Sequence, residues 1–315
     1  MLDLSEFLTP EDNTVFEQNR VGRSLRSYRF EGGLYGLPLD AAATTSAWRA
    51  DLMTALGFEV PETLGDVMAL AGDARKAGKS IAWAAKPTDL LCAYIAMIAS
   101  QGYDAGREAG PFVPADLSEE TVARIKELRR VIHPKSFEWN PIQLFDHMTT
   151  HDDVVYTPYA FNYVNYACLE ARPLNFGSPP RLSQKIRPRG LLGGAGIGIS
   201  SRSKNPEAAF RYAMRLVDPA FQASDYVANG GQPGMRSAWV SPDCDRMTNG
   251  FFSSCLQAMD DAYLRPNLPG FVGFFHEATL RFAAVIAEDD THADYWAWQT
   301  ETYEKMRADR KAAAE

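Results

Sequence analysis

The stretch RGLLGGAGIGISSRSKNPEAAF, Arg189–Phe210, places four glycines within six residues and then opens a helix at Pro206. Glycine-rich turns that run into helices often cradle phosphates. The dinucleotide fingerprint, however, needs a third glycine at position 199, which is Ile199, and a P-loop needs Gly-Lys-Ser where Ser200 and Ser201 stand. Pro206, behind an Asn205 cap, suits the first helical position and lies too far downstream for its dipole to reach the glycines. The segment therefore reads as a strand, AGIGIS, whose glycines admit close approach of another backbone or a ligand. A hinge between lobes and a wall of a ligand cleft both fit this pattern, as does tight packing of strand on helix.

Working outward, 315 residues with 46% apolar content can build two domains or one large one. A net charge of −8 and a pI near 5.3, with no basic block, argue against a nucleic-acid partner. No run of eighteen apolar residues occurs. The opening MLDLSEFLTPEDN is acidic, with Arg20 the first basic residue, so it has neither the basic start nor the apolar core of a secretory signal. As written, the chain carries no export address. Cys92 and Cys168 stand in apolar surroundings and predict buried thiols, whereas Cys244 and Cys255 are close enough in sequence to pair. The absence of C-x-x-C excludes a zinc ribbon or thioredoxin-type centre.

Short β-like runs alternate with helical patterns. LYGLPLD (34–40) and SIAWAA (80–85) predict strands, and DDVVYTPYAF (152–161) predicts a strand breaking into a turn at Pro158. PETLGDVMALAGDARKAG predicts a helix with Thr63 as N-cap and Asp66 three residues on. DLLCAYIAMIASQG predicts a buried helix closed by Gly102, and SEETVARIKELRRVI an amphipathic helix capped by Ser118, its acids early and its arginines late. Beyond Pro206 the chain reads as helical, with a break at RPNLPGF and a charged tail after Lys305 that frays. The alternation implies α/β architecture.

Catalytic motifs are missing. There is no G-x-S-x-G, and no pair of carboxylates stands out as a glycosidase couple. His147 and His151 in DHMTTHDD are spaced i, i+4, yet Met148 replaces the glutamate of the zinc-protease pattern and the segment reads as a helix end, so no metal is expected. The aromatics say more. YTPYAFNYVNY sets Tyr156, Tyr159, Phe161, Tyr163 and Tyr166 among Asn162 and Asn165, and PGFVGFFHEA adds Phe271, Phe274 and Phe275. Rings beside amides suit a sugar, whose C–H face lies on a ring while its hydroxyls bond the amides. Alternate rings serving as core and surface remain the structural alternative.

Several stretches then converge. GGLYGLPLDAAATTSAWRADLMTALGFEVPETLGDVMALA resembles the signature region of the sugar-binding group of extracellular solute-binding proteins of ABC importers. GIGISSRSKNPEAAFRYAMRLVDPAFQ, NGGQPGMRSAW and RPNLPGFVGFF are similar to the family's later strand–helix, crossover and helix-entry segments. The resemblance implies a two-lobe, type II periplasmic-binding-protein-like α/β fold, crossed near Pro38–Ala43, Leu191–Gly196 and Gly231–Arg236. It implies lobe 1 from 1–38 plus 197–235, lobe 2 from 39–190 plus 236–315, and a crossing at 191–196. Carried over, Asp40, Tyr159, Asn162, Gly193, Gly194, Gln232, Arg236 and Phe275 line the cleft, with Trp83 and Lys86 as further contacts. The implied protein is a monomer with no cofactor, binding a sugar-like solute and the transmembrane subunits of an ABC permease, in the periplasm or outside the cell. Relative to the family, the chain starts late, as if lacking roughly 60 residues of two β–α units of lobe 1. A carbohydrate-acting enzyme with the same cleft and an inactive remnant are the other expectations.

Overall fold

The computed structural model describes residues 1–107, 110–288 and 293–314. Among them nine short strands run as β1 (Arg29–Phe30), β2 (Gly33–Leu34), β3 (Leu37–Pro38), β4 (Ala42–Trp48), β5 (Ser80–Ile81), β6 (Val154–Phe161), β7 (Asn175–Gly177), β8 (Leu192–Gly193) and β9 (Gly196–Ile197). β5-β6-β4-β7 form the main sheet, with β8 added at the start of β4; β1 pairs with β2 and β3 with β9. Among these strand pairs of the described residues only β5–β6 is parallel.

The central strand β4 reads AATTSAW and is buried along nearly its whole length. Small side chains on both faces let helices press close on either side of the sheet. The helix Pro87–Ser100 is apolar all round, buried from Leu90 to Ser100, and packs between the helices Ala115–Arg129 and Phe271–Ala287. The Thr63 capping box is present, with Asp66 returning a bond to the Thr63 backbone.

Several expectations change. β6 runs straight through Pro158, because the register with β4 slips there: Thr45 faces Ala160 but Ala47 faces Thr157. The extra residue makes a bulge, the one place inside a sheet where a proline without an N–H is tolerated. The predicted strands at 34–40 and 80–85 shrink to two-residue pairings. The helix expected to start at Ser118 begins at Ala115 behind Pro114; Ser118 is buried inside it, sharing a 2.8 Å hydrogen bond with the Tyr94 hydroxyl. The C-terminal helix runs Ala293–Ala314, past the point where fraying was expected. All four cysteines are free. Cys244 and Cys255 are each buried, the Cys244 thiol donating to the Ala223 carbonyl at 3.1 Å. Cys168 is exposed, since it follows the turn Val164–Tyr166 on an outward loop.

The two sheets are tied by crossing chain. β3 and β9 belong to the small sheet, β4 and β8 to the large one, so residues 39–41 and 194–195 pass between them side by side. Leu39 and Asp40 N–H both donate to the Ala195 carbonyl (3.0 and 2.9 Å), and Ala195 N–H returns to Asp40 (3.1 Å). A third segment joins them: Ala41 N–H donates to the Gln232 carbonyl (3.0 Å) and Gly234 N–H to Leu39 (3.2 Å). A separate core packs on β3–β9, drawn from Leu4 to Leu37 and from Ile199 to Met235. The architecture is thus mixed α/β, two lobes joined by crossing strands, of the type II periplasmic-binding-protein kind.

Candidate ligand-binding cleft

Where the crossings meet, a cleft of about 340 Å³ opens. Ser27 and Tyr28 wall one side; Leu264–Asn267, Phe271, Val272 and Phe275 wall the other; Leu192, Gly193 and Gly194 make its floor. Gly194 has φ +118°, and a Cβ there would stand 2.3 Å from the Asp40 carbonyl. A Cβ on Gly193 would meet the Phe161 ring at 2.6 Å. The glycines of the opening stretch are therefore needed because backbone and ring approach closer than any side chain allows.

Tyr28 is linked through Asp40 to a set of partly buried polar groups. Burial pushes the Asp40 carboxyl up to about 6, against a hydrogen bond from the Gln232 backbone N–H. Burial likewise pushes Asp89 up to about 6, with Lys86 opposing. Burial raises the Tyr163 hydroxyl, and both Asp89 and Asp40 add to the effect. Tyr28 and Tyr226 are each pushed up to about 12, first by burial and then by Asp40. Two carboxylates and three phenols thus share one electrostatic neighbourhood. The Arg265 guanidinium lies over the Phe275 ring, 4.9 Å from its centre, and makes no ion pair among the described residues. Desolvated acceptors and donors beside aromatic faces can bond hydroxyl groups while a ring covers a C–H face.

Of the residues expected in the site, Gly193, Gly194 and Phe275 line the cleft, and the Asp40 backbone lies against Gly194 beneath it. Lys86 is the N-cap of the helix Pro87–Ser100, three residues before Asp89. Trp83 and Tyr159 lie in the core, 0% and 1% exposed, with ring centres 5.8 Å apart. Asn162 and Gln232 are buried and hold the crossings together. The Asn162 Oδ1 accepts from Ala43 N–H and from Gln232 Nε2, both at 3.0 Å. Gln232 also donates to the Ala41 carbonyl (2.8 Å) and accepts from Val164 N–H (3.0 Å). Arg236 makes a two-pronged pair with Asp260 at 2.5 and 2.8 Å. Asp89, Arg265, Tyr28 and Tyr226 were not singled out from sequence. Asp89, Tyr28 and Tyr226 are remote in sequence from the aromatic runs, Arg265 stands at the head of RPNLPGFVGFF, and only a carboxylate opening a wholly apolar helix marked Asp89 as costly enough to notice.

This fold and cleft define a two-lobed solute receptor. The family of bacterial extracellular solute-binding proteins matches residues 12–243, and the chain belongs to it. Its members are non-catalytic carriers that work outside the cytoplasmic membrane. Among solved structures, the fold is similar to maltose-bound MalE3 of T. maritima (17% identity, TM-score 0.81, covering 97% of this chain and 80% of that one). It is also similar to an ABC transporter solute-binding protein of Agrobacterium radiobacter K84 in complex with ribitol (16%, TM-score 0.79, 96% and 79%). The sugar-binding protein MalE of Xanthomonas citri is a third (15%, TM-score 0.76, 99% and 80%). No curated protein matches the sequence. No helix among the described residues is long and apolar enough to cross a membrane.

Proposed function

We propose that the chain binds a sugar or sugar-like polyol in this cleft and delivers it to the transmembrane subunits of an ABC importer, as a monomer. Lobe 1 (1–38 plus 197–235) closes on lobe 2 (39–190 plus 236–315) about the crossing at 191–196, so neither lobe alone binds well. The reading rests on a cleft walled by the Tyr28 and Phe275 rings, with the buried Asp40 carboxyl acting on Tyr28 beside it. The complexes of similar proteins with maltose and ribitol support it. Calorimetry against a panel of mono- and disaccharides and alditols tests it. One or more should bind with a rise in melting temperature, and Asp40→Ala and Phe275→Ala should each weaken binding roughly tenfold or more. A panel that leaves the melting temperature unmoved counts against the proposal.

The Asp40 and Asp89 carboxylates also give a pH signature. Their folded pKa values near 6 stand above the ordinary 3.8, so between those values the folded state holds more protons than the unfolded chain. Their contribution to stability is therefore full below pH 4 and is lost as pH rises to about 6. A bound hydroxyl donating to these oxygens favours the ionised form. Solute affinity should accordingly rise from pH 5 to pH 7.5, and binding isotherms at the two pH values check it. An affinity that falls over this range would remove the carboxylates from the binding role.

A further inference from the structure

The histidine-rich segment 146–153 takes no part in the cleft. Asp153 immediately precedes β6, and Phe161 at the other end of that strand borders the cleft floor, so the two regions lie ~26 Å apart along the strand. Here the fold adds a residue from elsewhere in the chain. His133, in the turn after the helix Ala115–Arg129, brings its Nε2 to 3.5 Å from Asp153 Oδ2, while His147 Nε2 stands 2.8 Å from Asp153 Oδ1. One ligand atom from each of the three lies within 4.8 Å of the other two.

We propose that His133, His147 and Asp153 form a binding site for a divalent first-row transition metal of the kind that takes imidazole and carboxylate ligands, with Zn²⁺ as the probe. Ligands on a tetrahedral ion with bonds of about 2.0–2.1 Å stand ~3.3 Å apart, so the three groups need contract by about 1.5 Å at most. Their exposures of 18%, 17% and 43% leave room for that rotation and an entry path for the ion. The frame beneath them is firm. Both rings pack on Trp139, His133 stacked at 4.9 Å and 9°, His147 tilted at 4.6 Å. The Asp153 carbonyl accepts from Ser80 N–H (2.7 Å) and from the Ser80 hydroxyl (3.1 Å). Two imidazoles and a carboxylate carry one negative charge, which the ion neutralises, and a fourth position stays open to water. Binding through Nε2 moves each ring proton to Nδ1; His133 thereby gives up its long 3.3 Å bond from Lys135 N–H. His151 stacks face to face on His147 at 4.3 Å, with its Nδ1 2.9 Å from the Thr150 hydroxyl, so it supports the ring and does not ligate. The i, i+4 pair visible in the sequence is thus not the ligand pair.

The test uses the untagged, chelator-treated full chain, titrated with Zn²⁺ by calorimetry and with Co²⁺ by visible absorption. One equivalent should bind, Zn²⁺ but not Mg²⁺ should raise the melting temperature, and His147→Ala and Asp153→Asn should weaken binding roughly tenfold or more. The metal-free melting temperatures of the variants separate loss of ligand from loss of fold, with Asp153→Asn keeping the side-chain shape. No saturable binding, or binding that survives the double change His133→Ala and His147→Ala, would overturn the site. Loss in His151→Ala with retention in His133→Ala would overturn the ligand set in favour of the i, i+4 pair.

Discussion

Asn162→Leu is expected to lower the free energy of unfolding by about 2–4 kcal/mol, the cost of stranding two buried donors. The leucine is close in volume, so no large cavity contributes. What is lost is an acceptor: the Asn162 Oδ1 serves Ala43 N–H at the start of β4 and Gln232 Nε2 on the third crossing. Both donors are sealed from water, Ala43 being 0% and Gln232 3% exposed. The bond set also fixes how the crossings at 41–43 and 232 stand against the end of β6, so solute affinity should fall together with stability. Urea unfolding measures the first effect and calorimetry the second. A variant with wild-type stability and affinity would show that the crossings are held by their backbone bonds alone.

Arg49→Met should cost about 3 kcal/mol. Arg49 directly follows β4 with its guanidinium buried, and all of its donors are engaged. Nε and Nη2 reach Asp51 at 2.8 and 2.6 Å, Nη2 also reaches Asp152 at 3.0 Å, and Nη1 donates to the Met148 and His151 carbonyls at 2.7 and 3.1 Å. Breaking a buried charged pair costs about 3–5 kcal/mol. Here the lower figure applies, because Asp51 and Asp152 are half exposed and can turn to water. The buried Met148 carbonyl cannot, and both carbonyls belong to the segment between His147 and Asp153. Weaker Zn²⁺ binding should therefore accompany the lower stability, read in the same titration as the metal-site variants.

Much of the framework was legible in the chain. The Thr63-x-x-Asp66 box, the apolar run Leu90–Ser100 and the proline at 206 each announced a helix through local chemistry, and each helix is present. The rejection of a nucleotide site also stands on local grounds, since the glycines 193–198 form strands and a crossing rather than a helix N-terminus. Strand lengths were less legible, because a two-residue pairing such as β3–β9 leaves almost no periodic signal. Pro158 misled for a related reason. A proline normally ends a strand, and only the bulge against Thr45–Ala47 makes its missing N–H harmless.

The site divides in the same way. Gly193 and Gly194 sit in a crossing whose glycine pattern is local, so the sequence by itself marked them, whereas Asp40 was marked by the family resemblance. The burial of Trp83, Tyr159, Asn162 and Gln232 depends on which helix covers which face, and an aromatic or amide residue looks the same in sequence whether it faces a ligand or a core. Asp89 and Arg265 enter the cleft neighbourhood, and His133 meets His147 and Asp153, only through contacts between distant parts of the chain. Local bonding fixes φ, caps and turns within a few residues, and these the sequence determined. Desolvation and convergence of charges depend on distances through space, and only the tertiary structure decided them.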